Sequence, residues 1–193
     1  MRVFDLFHDV YNQAVSIARE LDIIDQYHFQ HSINVCLLAM AIGGEMDMDR
    51  SELEELGLAA MLHDIGKIAI PHYILTMRCK PNEDEWDYIR RHPLLGYEMA
   101  HKYGLPAEAC LGVLHHHERM DGSGYPFRLK ADKISKYGRI IAIADVYDAM
   151  RSKRSYKNSA ARDEAFNFLI DNAGTHFDSA ILDKFKSIYF RQL

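Results

Sequence analysis

Apolar residues recur at intervals of three and four over about 3–24, 30–46, 51–63, 83–103, 106–117 and 134–151, with two further stretches near 160–172 and 178–190. Such spacing places them on one face of a helix, and the alternation expected of strands is almost absent. The pattern predicts an all-α fold, a compact bundle of roughly seven or more helices. One long segment, about 118–133, is rich in Gly, Asp and Pro and reads as a loop, and the five prolines fall as punctuation between helical stretches. No internal repeat or low-complexity segment divides the chain. Residues 1–193 therefore read as a single domain, with a core at roughly 27–185 and an N-terminal helix at 3–24.

A few polar residues stand on the apolar faces. His31 shares its face with Val35, Leu38 and Ile42, and His117 shares one with Cys110, Val113 and Leu114. Asp64 falls on the stripe of Leu53, Leu56, Gly57, Ala60 and Met61, and Asp145 lies within the apolar run Ile140 to Val146. The dipeptide His63-Asp64 proves little by itself, because His8-Asp9 repeats it. A lone histidine on such a face is more often a satisfied core group, but a buried carboxylate needs a cation or several hydrogen bonds. Imidazoles and carboxylates directed inward from four separate helices are what a divalent Fe, Mn or Zn site requires, and the nitrogen content disfavours Mg.

Composition narrows the function. With 193 residues, 48% of them hydrophobic, the chain can bury one substantial core. A net charge of −5 without a basic stripe excludes long nucleic acid as a partner but permits a small anionic substrate held by local cations. Cys36, Cys79 and Cys110 are odd in number and far apart, which fits a reducing compartment better than a disulfide framework. No run of about 18 apolar residues is present, and Arg2, Asp5, His8 and Asp9 occupy the start of the chain, so the expected location is cytoplasmic, without a membrane. Eleven histidines direct attention to metal or proton chemistry.

The motifs then become specific. In order along the chain stand His31-Ser32, Leu62-His63-Asp64-Ile65-Gly66-Lys67, Pro71, Ile74-Leu75, Glu85-Trp86, and His92-Pro93 with Gly96. His116-His117-Glu118 follows, leading to Gly124-Tyr125-Pro126, then Ala144-Asp145-Val146-Tyr147-Asp148-Ala149-Met150, then Arg154, Tyr156 and Lys157, and a turn from Gly174 to Asp178. From about Tyr27 to Phe185 the chain resembles the HD-GYP family of metal-dependent phosphodiesterases.

The resemblance implies metal ligation by His31, His63, Asp64, His92, His116, His117 and Asp145, with Asp64 bridging two divalent transition-metal ions. Iron or manganese is favoured, and zinc, cobalt or nickel is compatible. Asp64 and Lys67 would serve catalysis, with Lys67 reaching the scissile phosphate. Tyr125 would shape the nucleotide pocket, and Arg154 and Lys157 would pair with phosphate oxygens. The implied substrate is a bacterial cyclic dinucleotide, cyclic di-GMP before others, cut to pGpG, and whether a second cut to GMP follows is left open by the sequence. The alternatives are an HD-type phosphohydrolase for another nucleotide such as cyclic GMP-AMP, and a catalytically silent receptor or interaction module. A homodimer is compatible with this reading. His115 has no metal role in the family pattern.

Asn34 stands where the family usually has Arg, and Met77-Arg78-Cys79 where it usually has Lys-Pro-Gly. Both bear on substrate preference. His72 replaces a common acidic residue after Pro71 and changes the local charge. Gly122 and Gly124 read as positions that permit positive φ in a tight loop. Members with a third ion carry a glutamate one helical turn before the leading histidine. Here that position is Tyr27, a poor ligand at neutral pH, and His28 is out of register, so the expectation is a binuclear site.

Overall fold

The computed structural model describes residues 3–20, 26–77, 79–152 and 159–191. Among them no strand forms, and an isolated bridge joins Ala173 to Phe177. The helices are α1 (Val3–Glu20), α2 (Gln26–Glu45), α3 (Arg50–Met61), α4 (His72–Leu75), α5 (Glu83–Ile89), α6 (His92–Lys102), α7 (Ala107–His115), α8 (Lys136–Ser152), α9 (Ser159–Asp171) and α10 (Ser179–Arg191). Two 3-10 turns, Ile65–Ala69 and Ala131–Lys133, complete the order. The all-α expectation holds.

Helix α8 runs through the centre, packed against α2, α7 and α9. Its residues Ile140 to Asp145 are all buried, as expected of a helix covered on every side. Helix α3 packs against α1, α2 and α7, while α6 covers α7 and the Ile65–Ala69 turn. Leu6, Val10 and Ala14 bring α1 into the same core, and Phe185 and Tyr189 bring in α10. No described helix is long and apolar enough to cross a membrane.

The boundaries differ from the periodicity in ways that matter for the site. The stretch 83–103 is two helices broken at Arg90 and Arg91. Pro93 has no N–H to continue the ladder and its ring opposes the preceding turn. An Asn82–Glu85 capping box starts α5, and an Asp49–Glu52 box starts α3. Helix α3 ends at Met61 with Leu62 as its cap, so His63 and Asp64 lie beyond its last turn. Helix α7 likewise ends at His115, with His116 as its cap and His117 beyond it. The inward faces expected for Asp64 and His117 therefore come from chain turns at helix ends and not from helical stripes.

Candidate metal centre

Three helices end at one point, and a histidine caps each of them. His63 Nδ1 lies 2.7 Å from the Ala60 carbonyl, His92 Nδ1 2.7 Å from that of Ile89, and His116 Nδ1 2.6 Å from that of Val113. Each carbonyl belongs to the last turn of α3, α5 or α7, where no further backbone N–H is available to bond it. For Ile89 the missing donor is Pro93 itself, and the imidazole of His92 takes its place. A ring that donates through Nδ1 leaves a lone pair on Nε2, the state in which imidazole binds a metal.

The other members reach the same point from α2 and α8. His31 Nε2 lies 3.1 Å from Asp145 Oδ1, and His31 Nδ1 lies 2.8 Å from Asp148 Oδ2. Two groups of donors result, one of His31, His63 and Asp145, the other of Asp64, His92, His116 and His117. Asp64 touches both: one oxygen is 3.3 Å from His92 Nε2, and the other is 3.3 Å from His63 Nε2. The ring of His117 packs against His116 at 4.1 Å and against Tyr125 at 4.7 Å between centroids.

The donors fit a cation. His63 Nε2 and Asp64 Oδ1 are buried and have no hydrogen-bond partner. The Nε2 atoms of His92 and His116 face each other at 3.3 Å, and since both rings donate through Nδ1, two lone pairs oppose unless a positive charge lies between them. Burial together with His117, His63 and His92 holds His116 well below the usual imidazole range. Burial, aided by His92, takes His117 down to about 3 against the pull of Asp145. Burial opposes the charge on Asp64, but His63 and Lys67 outweigh it and keep the carboxyl well below its usual range. The imidazoles of His116 and His117, held neutral by burial, beside the ionised carboxylates of Asp64 and Asp145 suit a divalent ion of the first transition row.

Both groups open onto a cavity of about 450 Å³ lined by His31, Asp64, His92, His117 and Asp145. Lys67 and Tyr125 also line it, and Lys67 Nζ is 2.6 Å from Asp64 Oδ2. His115 turns away from the centre, accepting at Nδ1 from the Ser135 N–H at 3.2 Å. Arg154 and Lys157 lie outside the described residues, as do the side chains of Tyr27 and His28.

Sequence reasoning assigned no role to Asp148 or Glu118. Asp148 is 2% exposed and also accepts from Asn34 Nδ2 at 3.0 Å, which brings Asn34 to the cavity wall. Its place one helical turn after Asp145 was the available signal. Glu118, 1% exposed, accepts from the N–H groups of Phe127 at 2.7 Å and Leu129 at 2.9 Å and so clamps the loop that carries Tyr125. Gly122 has a φ of +83°, as the sequence leads one to expect. Gly124 is needed for a different reason: a Cβ there would meet the backbone of Glu118 and His117 at 2.5 Å.

A helical bundle with a His/Asp centre at converging helix ends defines the class, and the comparisons agree with it. Residues 11–181 match the HD domain family. The chain belongs to that family. It is 39% identical over 178 residues to a protein of Pseudomonas aeruginosa named as a cyclic di-GMP phosphodiesterase, a match spanning 90% of this chain and 42% of that protein. It is 34% identical over 177 residues to a 3'3'-cGAMP-specific phosphodiesterase of Vibrio cholerae, spanning 91% of this chain and 41% of that one. The chain thus spans about two fifths of the length of these curated relatives. A solved HDG"Y"P protein from Bdellovibrio bacteriovorus shares the fold at a TM-score of 0.68 and 18% identity, over 94% of this chain and 59% of that one.

Proposed function

We propose that this chain is a metal-dependent phosphodiesterase that hydrolyses cyclic di-GMP. The observation that carries this reading is the position of Asp64, in contact with both donor groups and with Lys67, on the wall of one cavity. The similarity to a cyclic di-GMP phosphodiesterase over 90% of the chain supports the substrate.

In this reading His31, His63 and Asp145 would hold one divalent ion, and His92, His116 and His117 a second, with Asp64 shared. Iron or manganese suits this nitrogen-rich set. When bound, such a pair supplies Lewis-acid polarisation of a phosphoryl oxygen and acidifies water for attack. The protein groups do the positioning. Lys67 lies within reach of a phosphate at Asp64 and neutralises charge that develops on it. Tyr125, packed on His117, gives the pocket a fixed wall. Arg154 and Lys157 are assigned to phosphate oxygens. Water adds to phosphorus as the bond to the ribose 3' oxygen breaks, that oxygen takes a proton, and the product is pGpG. A second hydrolysis of the same kind would give GMP.

The test is metal analysis of anaerobically purified protein together with product chromatography on cyclic di-GMP and 3'3'-cGAMP. Two ions per chain and conversion of cyclic di-GMP to pGpG are expected. Faster turnover of 3'3'-cGAMP would move the substrate. A third stoichiometric ion would overturn the binuclear assignment, and metal-loaded protein inert toward both nucleotides would overturn the reading.

A further inference from the structure

Helix α5 buries none of its residues, yet its sequence starts it firmly with a capping box. A two-turn helix that contributes nothing to the core is otherwise poorly supported, because short helices in proteins are held mainly by packing of an apolar face. Its apolar residues Trp86 and Ile89, three apart and hence on one side of the helix, both line the cavity of the metal centre. At its end the Ile89 carbonyl holds His92 at 2.7 Å. Helix α5 is thus tied to the centre and presents an indole that remains 39% exposed at the edge of the cavity.

An exposed indole on the wall of the cavity that holds the metal donors calls for an aromatic partner. Phosphate chemistry accounts for Lys67 and the donor groups, and leaves the bases of a dinucleotide to be held. Of Tyr125 and Trp86, the two lining side chains that carry a benzene ring, Tyr125 already packs its ring against His117 at 4.7 Å. Trp86 is held from another direction, by the Arg90 guanidinium at 5.7 Å from its ring, and Arg90 is itself paired with Asp87 at 3.1 Å. The ring is therefore positioned before substrate arrives, which lowers the entropy lost on stacking.

We propose that Trp86 is the platform on which a purine base of the substrate stacks, an inference that rests on the cyclic-dinucleotide reading above. Stacking on an aromatic side chain tolerates any base because every base offers a π face. Trp86 therefore supplies affinity for the nucleotide and not discrimination among cyclic dinucleotides.

Trp86 is the only tryptophan in the chain, so its fluorescence reports the contact directly. The metal-loaded protein is titrated with a nonhydrolysable phosphorothioate analogue of cyclic di-GMP and, separately, with inorganic phosphate. The analogue should quench the emission, and phosphate should leave it unchanged. By calorimetry, Trp86→Leu should bind the analogue about ten- to a hundredfold more weakly, while Trp86→Phe, which keeps a π face, recovers most of that loss. Phosphate affinity and metal content should be the same in all three proteins. Emission indifferent to bound analogue, or a Leu variant that binds it as tightly as the unaltered protein, overturns the platform while the phosphodiesterase reading stands. Unaltered protein that neither binds the analogue nor cleaves cyclic di-GMP overturns that reading and the platform with it. The fluorescence titration requires no substitution, so it decides the matter even if a variant fails to fold.

Discussion

Four histidines of the centre are held in two different ways. His63, His92 and His116 each donate to the carbonyl of the residue three before them, at the end of a helix. His31 instead lies inside α2 and takes its orientation from the carboxylate of Asp148 on α8. A carbonyl is part of the backbone and cannot be removed by substitution. A carboxylate can be. The electrostatic consequence also differs, since burial pulls the His31 imidazole down but Asp145 and Asp148 outweigh it and raise it to about 9. The backbone-capped histidines are therefore built in with the helix ends, whereas His31 depends on a side-chain network that also includes Asn34 at 3.0 Å from Asp148.

Substitutions can break this contrast or sharpen it. The largest effect is expected at Asp64, which is shared between both kinds of ligand. Asp64→Asn should abolish metal content and turnover together, measured by elemental analysis and product chromatography, and retained occupancy with full activity would refute the shared role. Next comes the backbone support of His92. A Cβ at Gly66 would meet the His92 carbonyl at 2.0 Å and the Gly96 nitrogen at 2.5 Å. Gly66→Ala should destabilise the fold by about 2 kcal/mol or more, read by denaturant unfolding, and weaken the ion held by His92, His116 and His117.

Lys67→Ala separates substrate contact from metal ligation. Turnover should fall roughly a hundredfold with both ions retained, the loss expected when one transition-state contact is removed. Loss of metal in this variant would place Lys67 among the supports of the centre instead. The smallest effect should come from Asp148→Asn, which leaves an acceptor but removes the charge behind His31. The affinity for an ion at the proposed site of His31, His63 and Asp145 should weaken about tenfold, with that of the other donor group unaffected, in competition titrations against a chelator. Equal weakening of both would show that the two modes of support are not independent.

Much of this was legible along the chain. Periodicity of three and four was enough for an all-α bundle, because an amphipathic helix must bury its apolar stripe whatever it packs against. His31 and Asp145 were readable as inward residues for the same reason, each lying within a continuous helix. The motif order from His31 to Lys157 supplied the remaining candidates. What periodicity could not supply was the place where a helix stops, and three of the proposed histidine ligands stand at such places. Pro93 breaks 83–103 into α5 and α6, and that break releases the Ile89 carbonyl to hold His92.

Pairings between distant segments belong to the tertiary structure alone. His31 and Asp148 are 117 positions apart, and Glu118 clamps a loop whose conformation no local propensity specifies. The sequence by itself determined which side chains avoid solvent and which chemistry they carry, because burial follows from the spacing of apolar groups. Only the folded chain decided which of them meet, since hydrogen bonds and ion contacts act over a few ångströms and form after packing has brought the helix ends together.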